Sequence, residues 1–152
     1  VGLVDEHEED REAGEDDDGP FLVINGDILT SVNFRSLLNF HKENEGVCTV
    51  CVRDYNVQIP YGVVDVSGGR VNEISEKPTM RYFVSAGIYV VDPLVLGQVK
   101  ADEYLDMPQL VKDSIARGMK VASFPIHEYW LDIGRIDDLQ RARDDFDEVF
   151  RS

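Results

Sequence analysis

The chain has 152 residues, 43% of them hydrophobic, which is enough for one domain with a real core and too few for two domains of ordinary size. Its formal net charge of -15 argues against a nucleic-acid partner, because an acidic protein repels phosphates. It has no apolar run long enough to span a bilayer and does not open with a cationic segment followed by an apolar one, so we expect a cytoplasmic protein with no membrane partner.

The first 19 residues are dense in acidic side chains. They hold ten acidic residues and one basic residue, Arg11, and show no apolar periodicity. Such a composition is typical of a flexible segment. We therefore expect an acidic flexible leader or loop over residues 1–19 and a folded domain over residues 20–152.

Four consecutive large apolar residues, Phe21 to Ile24, predict the first strand. They do not alternate with polar residues, which favours a central parallel strand covered on both faces. Asn25-Gly26-Asp27 follows, and apolar residues then recur at helical spacing over 33–44. Asn-Gly is also a strong hairpin signal, but the succession of strand, turn and helix favours a βαβ-like unit. Asp27 would then lie at the carboxyl end of the strand, where open α/β sheets bind ligands.

Residues 47–52 predict a buried strand after a helix that ends at Gly46, and this strand contains a C-x-x-C motif. Such a motif also occurs in redox pairs and zinc sites. Residues three apart in a strand face opposite sides, so the sulfur atoms of Cys48 and Cys51 should diverge. No second C-x-x-C is present to complete a zinc site, and we expect unreactive core thiols.

Short strands and turns are predicted from Tyr55 to Ser75. Residues 63–66 and 70–74 flank a Ser-Gly-Gly turn and predict an antiparallel hairpin. In Glu76-Lys77-Pro78, the proline excludes a helix and favours an extended Lys77.

The rest of the chain predicts three helices and three strands. In the predicted strand over 82–91, Gly87 would mark the close approach of another backbone or of a ligand. The strand at 130–134 ends in a second acidic turn, at Asp132. In chain order, the predicted elements are a strand over 82–91, a helix over 94–99 after Asp92-Pro93, a helix over 107–117 capped by Asp106, a strand over 119–126, a strand at 130–134 and a helix over 136–150.

Asp27 and Asp132 both follow apolar strands and lie close to a glycine. Alone, either aspartate is more often a capping or turn residue than a ligand. Two carboxylates, with phosphates supplying the remaining oxygen atoms, are however the usual way in which proteins hold Mg²⁺. The pair therefore predicts a magnesium site.

Five motifs, in this order, resemble those of the sugar-phosphate nucleotidyltransferases, also called nucleotide-sugar pyrophosphorylases, such as the mannose-1-phosphate guanylyltransferases. The motifs are Asn25-Gly26-Asp27, Tyr61-Gly62, Glu76-Lys77-Pro78, Ser85-Ala86-Gly87-Ile88-Tyr89 and Trp130-Leu131-Asp132-Ile133-Gly134. The resemblance implies the C-terminal portion of a Rossmann-like, GT-A-like α/β/α domain, with a mixed sheet and an inserted antiparallel hairpin. It also implies transfer of a nucleotidyl group from a nucleoside triphosphate to a sugar 1-phosphate, with release of pyrophosphate.

The same resemblance implies roles for eight residues. Asp27 and Asp132 would hold Mg²⁺, and Lys77 would pair with the sugar phosphate as the third catalytic residue. Five further residues would bind substrate: Tyr61, Gly62 through its main chain, Glu76 through sugar hydroxyls, Ser85 and Gly87.

The chain departs from the family pattern in two places. The glycine-rich G-x-G-T-R loop that cradles the triphosphate is absent, so we expect the C-terminal piece of a longer enzyme, inactive alone. A bared sheet edge would then favour self-association or pairing with the missing N-terminal part. Ser85 also stands where relatives commonly carry asparagine, which leaves the sugar preference open.

Two alternatives remain at this point. The first is a non-catalytic regulatory or assembly module with the same fold, against which the joint presence of Asp27, Lys77 and Asp132 argues. The second is a GT-A glycosyltransferase, although no D-x-D motif lies at the end of a predicted strand.

Overall fold

The structure, a computed structural model, describes residues 19–97, 99, 104–134 and 136–150. The predicted acidic leader, apart from Gly19, lies outside the described residues. The elements in chain order are β1 (Phe21–Ile24), β2 (Ile28–Thr30), α1 (Phe34–Asn44), β3 (Cys48–Gln58), β4 (Val63–Ser67), β5 (Arg70–Ser75), β6 (Thr79–Val91), α2 (Pro93–Leu96), α3 (Met107–Ala116), β7 (Val121–Pro125), β8 (Trp130–Asp132) and α4 (Ile136–Phe150).

The largest sheet has four strands in the order β1-β6-β3-β7. β6 is antiparallel to both of its neighbours, whereas β3 and β7 are parallel. β1, β3 and β7 therefore share one direction, and β6 runs against them. This arrangement confirms the predicted mixed sheet.

Helices cover both faces of this sheet, as predicted for three α/β/α layers. On one face, Leu37 of α1 packs in a cluster with Cys51 and Ile88. On the other, Val95 of α2 and Leu110 of α3 pack with Cys48. Burial of apolar surface on both faces is the main stabilising contribution to such a fold.

The position of β1 corrects one prediction and confirms another. β1 is not a central parallel strand: in the part of the chain that the structure describes, its one neighbour is the antiparallel β6. Its coverage is as predicted, since Leu22 packs against one core cluster while Phe21 and Val23 pack against the other. An uninterrupted apolar run reports burial of both faces, but it carries no information about the direction of the neighbouring strand.

The helix starts follow the predicted caps. Side chains of Asn33, Asp92 and Asp106 accept hydrogen bonds from the first turns of α1, α2 and α3, respectively. The ends differ slightly: Glu45, with φ of 50°, caps α1 where Gly46 was predicted to end it, and α2 stops at Leu96. No helix among the described residues is long and apolar enough to cross a bilayer.

Two features of the strands were not predicted. β3 and β6 extend beyond the core as a long ribbon that pairs to Gln58 and Thr79, so the change to short strands at Tyr55 was wrong. β2 and β8 form a separate two-stranded sheet, whose register places Ile28 opposite Asp132. The predicted hairpin is confirmed as β4 paired with β5.

The prediction of an extended Lys77 was also wrong. Its φ is 45°, in the left-handed region. The chain turns there between β5 and β6, and the Lys77 amide donates to the Tyr61 carbonyl oxygen at 3.3 Å. The following proline disfavours the right-handed helical region, which leaves the left-handed conformation available to make this turn.

Candidate functional site

The β2–β8 sheet brings Asp27 and Asp132 together. Asp27 directly precedes β2, and Asp132 is the last residue of β8. The Ile133 amide donates to the Asp27 carbonyl oxygen at 2.8 Å, which extends the pairing of the two strands. Two residues that are distant in sequence thus lie on adjacent chain segments.

Their carboxylates converge beside Gly134. Asp132 Oδ1 accepts a hydrogen bond from the Gly134 amide at 2.9 Å. A Cβ atom added to Gly134 would lie 3.1 Å from Asp132 Oδ1 and 3.4 Å from Asp27 Oδ2. The space next to this glycine is therefore bordered by an oxygen atom from each carboxylate.

This donor set suits a hard divalent cation. Neither aspartate forms a salt bridge within the described residues. Those residues contain no cluster of three or more His, Cys, Asp or Glu side chains that could hold a metal ion. Mg²⁺ is commonly held by one or two carboxylates with substrate phosphates and water, so two aspartates alone fit that mode of binding.

Gly87 lies against Asn25, two residues before Asp27. Its φ is 69°, and a Cβ atom at this position would lie 2.8 Å from Asn25 Nδ2. The Asn25 amide also donates to the Gly87 carbonyl oxygen at 2.9 Å. A close approach at Gly87 is confirmed, but the group beside the missing Cβ is the Asn25 side chain and not the backbone or ligand that was predicted.

Ser85 forms a hydroxyl pair with Tyr89. The two oxygen atoms are 2.9 Å apart, and the Gly87 amide lies 3.4 Å from Ser85 Oγ. Ser85 is exposed whereas Tyr89 is buried. The Tyr89 hydroxyl thus orients the hydroxyl of Ser85, which remains exposed as a polar group.

The other predicted binding residues meet at the base of the β4–β5 hairpin. A Cβ atom on Gly62 would lie 3.1 Å from Glu76 Oε2, so the carboxylate of Glu76 packs over this glycine. The backbone contact between Tyr61 and Lys77 joins the same two segments. These four residues, Tyr61, Gly62, Glu76 and Lys77, are exposed, as access to a substrate requires.

The structure therefore gathers the eight predicted residues into two groups. One comprises Asp27 and Asp132, with Gly87 and Ser85 joined to it through Asn25. The other comprises Tyr61, Gly62, Glu76 and Lys77, at the start of β6. The β3–β6 ribbon connects the two groups.

Arg53 was not identified from the sequence. It lies on β3 and lines a cavity of about 340 Å³ together with Trp130, Asp132 and Asp138. Its guanidinium donates to the Glu128 carbonyl oxygen and lies 5.7 Å from the centre of the Trp130 ring. No local pattern distinguishes such an arginine from a solvated one, because its partners come from another part of the chain.

The cysteines have no part in the site. Both are buried and free, and they belong to core clusters on opposite faces of the sheet. Burial raises the pKa of the Cys48 thiol to about 11 and that of Cys51 to about 12. Thiolates are the reactive form, so the prediction of inert core thiols agrees with this environment.

Comparison with known proteins gives three concordant findings. A family model described as nucleotidyl transferase matches residues 7–148. Mannose-1-phosphate guanylyltransferase 1 of Arabidopsis thaliana is 31% identical over 121 residues, which cover 76% of this chain and 33% of that protein. A mannose-1-phosphate guanyltransferase of Aspergillus oryzae is 30% identical over 128 residues, which cover 78% of this chain and 34% of that protein. The chain thus spans about a third of the length of these relatives.

Solved structures show the same fold. A Bacillus anthracis protein solved in complex with sucrose has a TM-score of 0.59 and 24% identity, with 84% of this chain and 54% of that one covered. HddC from Yersinia pseudotuberculosis has a TM-score of 0.55 and 21% identity, with 84% and 56% covered. At these identities the likeness concerns the fold alone.

Proposed function

Because this chain belongs to the nucleotidyl transferase family, we propose that it is part of an enzyme that joins a nucleoside triphosphate to a sugar 1-phosphate and releases pyrophosphate. The observation that carries this proposal is the convergence of Asp27 and Asp132 beside Gly134. Relatives named as mannose-1-phosphate guanylyltransferases support it and make GTP and mannose 1-phosphate the first substrates to test.

In this proposal Asp27 and Asp132 hold Mg²⁺. Both offer hard, anionic oxygen atoms, and no described basic side chain forms a salt bridge with either of them. When bound, the ion supplies a Lewis acid and neutralises charge on the reacting phosphates. The role of the chain is to fix the two carboxylates at a common point.

The reaction needs little from the protein beyond positioning. A phosphate oxygen of the sugar 1-phosphate forms a bond to the α-phosphorus of the triphosphate, while the bond from that phosphorus to the bridging oxygen breaks and pyrophosphate leaves. The nucleophile is already anionic, so no general base is required. Holding both substrates in line therefore accounts for most of the expected acceleration.

The hairpin-base group would bind the sugar phosphate. Lys77 would pair with the phosphate as a cation, and its turn places it beside Tyr61. Glu76 would accept hydrogen bonds from sugar hydroxyls. Gly62, which has no side chain, leaves room above its main chain for the Glu76 carboxylate and for the sugar ring. Ser85, whose hydroxyl is paired with that of Tyr89, would contact the sugar near Gly87.

Completion of the site would require further residues. The relatives are about three times as long as the matched segment, so we propose that the triphosphate-binding loop is supplied by sequence outside it and that this chain alone does not turn over. Cytoplasmic location and self-association stay predictions.

The experiment is a pyrophosphate-release assay on the longest natural reading frame that contains this chain. It would use a panel of nucleoside triphosphates and sugar 1-phosphates with Mg²⁺. Release with one matched pair is expected, and Asp27→Asn should abolish it, whereas Asp65→Asn on the exposed hairpin should not. No release with any pair would reject the proposal in favour of a non-catalytic module.

A further inference from the structure

We propose that Arg53 is a positioning residue that holds Asp132 opposite Asp27 by fixing the segment before β8 against β3. This inference rests on the proposed function, because it assigns the placement of one of the two proposed metal ligands. Arg53 acts through Glu128 and Trp130, four and two residues before Asp132 in the sequence.

Two contacts tie Arg53 to this segment. Its Nη1 donates to the Glu128 carbonyl oxygen at 2.9 Å. Its Cζ lies 5.7 Å from the centre of the Trp130 ring, within the range of a cation–π interaction. A planar guanidinium can make both contacts at once, whereas an ammonium group cannot reproduce this geometry.

Trp130 passes this restraint to the site. Its indole Nε1 donates to the Ala86 carbonyl oxygen at 2.8 Å, next to Gly87. β8 then pairs with β2, and this pairing places Asp132, the last residue of β8, opposite Ile28. The Ile133 amide donates to the Asp27 carbonyl oxygen. The short strand β8 has only three residues, so contacts from outside the pair must contribute to its position.

The neighbouring charges leave Arg53 available for this role. Asp54, the adjacent carboxylate, is held by Arg81 through two hydrogen bonds of 2.7 Å each. Within the described residues Arg53 has no carboxylate at ion-pair distance. Its contacts with Glu128 and Trp130 are therefore the ones that its removal would eliminate.

Arg81 provides a matched control. It lies on the same ribbon, forms a planar pair with Asp54 and lies 5.6 Å from the Phe83 ring centre. Among the described residues its side chain pairs with Asp54 and Phe83, and its hydrogen bonds do not involve β8. Arg81→Met therefore removes comparable interactions without touching the segment that carries Asp132.

The first test is amide hydrogen exchange on the full chain without metal. In Arg53→Met, the Ile133 amide and the Trp130 indole N–H should exchange about tenfold faster, the factor expected for loss of one charge-assisted hydrogen bond. The milder Arg53→Lys should give a smaller increase. The Val47 amide, bonded to the Lys120 carbonyl oxygen at the other end of the sheet, should be unaffected in all variants.

Three outcomes would overturn the inference in this test. The first is unchanged exchange at Ile133 and Trp130 in Arg53→Met. The second is the same acceleration in Arg81→Met. The third is an equal acceleration at Val47, since that would show global destabilisation.

The second test is Mn²⁺ affinity, measured by electron paramagnetic resonance. Arg53→Met should weaken binding about tenfold at an unchanged free energy of unfolding, and Arg81→Met should not weaken it. Equal affinity of Arg53→Met and the unsubstituted chain would overturn the positioning role. If the unsubstituted chain bound no Mn²⁺ even with pyrophosphate present to supply the remaining oxygen atoms, the proposed metal site would fail, while hydrogen exchange would still decide whether Arg53 places Asp132.

Discussion

Gly134 keeps open the space between the two aspartates. A methyl group there would lie 3.1 Å from Asp132 Oδ1 and 3.4 Å from Asp27 Oδ2, and these are the two carboxylates proposed to hold Mg²⁺. Gly134 is exposed, and its φ lies outside the left-handed region, so an alanine is compatible with the backbone. A substitution can therefore test the site without testing the fold.

We predict that Gly134→Ala weakens Mn²⁺ binding at least about tenfold, because the methyl group displaces the ion or one carboxylate. The free energy of unfolding should change by less than about 1 kcal/mol. Calorimetric titration and urea unfolding would measure the two quantities. Gly26→Ala is the control, since its added Cβ meets nothing within 4 Å; equal affinities of the two variants would contradict the prediction.

His41 is a buried titratable side chain outside the site. Its Nδ1 lies 2.9 Å from Thr49 Oγ1, between α1 and β3. Burial lowers the pKa of His41 below 6.5, and the nearby Asp92 carboxylate offsets part of this effect. The folded state therefore binds a proton at His41 less readily than the unfolded chain does.

The lowered pKa of His41 makes the free energy of unfolding depend on pH in a defined direction. Above pH 6.5 the histidine is neutral in both states, and its contribution is fully present; as the pH falls below 6.5, the unfolded state gains the proton first and stability is lost. We predict that the free energy of unfolding falls between pH 7.5 and pH 5.5, and that His41→Gln reduces this dependence. Urea unfolding at several pH values measures both. An identical pH dependence in the variant would contradict the assignment to His41.

The pairing of β6 with β3 is irregular beside the end of β1. Val50 pairs with Tyr89 and Val52 with Ser85, so Cys51 alone stands opposite Ala86 to Ile88. Extra residues on one strand bend a ribbon and redirect its side chains. Here the bend is made at Gly87, where Asn25 packs and the chain leaves β1 toward Asp27.

We predict that Gly87→Ala destabilises the fold by more than Gly118→Ala does. Both glycines have positive φ, 69° and 74°, so both variants carry the left-handed strain of about 1–2 kcal/mol. The added Cβ at Gly87 also meets Nδ2 and Cγ of Asn25, which rotation of that side chain can move, and Cβ of Asn25 at 3.3 Å, which rotation cannot move. This contact should cost about 1–3 kcal/mol more.

Thermal or urea unfolding of the two variants gives the difference directly. Adding Asn25→Gly to Gly87→Ala should recover the excess loss but not the strain. Equal losses in Gly87→Ala and Gly118→Ala would show that the contact with Asn25 carries no weight.

Elements with local signals were predictable from the sequence. α1 and α3 begin at Asn33 and Asp106, whose side chains cap the first turns, and the hairpin follows its Gly68-Gly69 turn. β2 was missed because three residues carry little pattern and its partner lies about a hundred residues away. The direction of β6 between β1 and β3 likewise depends on tertiary packing.

The candidate site divides in the same way. Asp27, Asp132, Gly62 and Glu76 could be predicted because motifs mark them and a family resemblance orders them. Arg53 could not, because its role comes from Glu128 and Trp130, which are about 75 residues away along the chain. The left-handed Lys77 was missed since the rule for residues before proline describes isolated dipeptides and not a turn between two strands.

At the scale of the whole molecule, the sheet formed by the described residues has an unpaired edge at β1. In the described residues β1 pairs on one side only, and Ile24 at its end is 39% exposed. Such an edge offers backbone donors and acceptors to another strand.

We predict that this chain self-associates through the edge of β1. Light scattering after size-exclusion chromatography should show a dimer or larger species, and Ile24→Lys should shift it toward monomer because a charged edge resists pairing. Salt matters to the measurement, since the net charge of -15 opposes association and screening should promote it. A monomer at all concentrations and salt levels would contradict the prediction.

Substitutions at two exposed apolar positions outside β1 distinguish pairing at the sheet edge from non-specific hydrophobic association. Val71 on the hairpin is 65% exposed, and Ile115 on α3 is 58% exposed. Val71→Lys and Ile115→Lys change hydrophobicity and charge as Ile24→Lys does, yet neither lies on β1. If Val71→Lys dissociated the oligomer while Ile24→Lys did not, the hairpin face and not the sheet edge would be the contact. Dissociation by Ile24→Lys alone would place the partner strand against β1, beside the turn that carries Asp27.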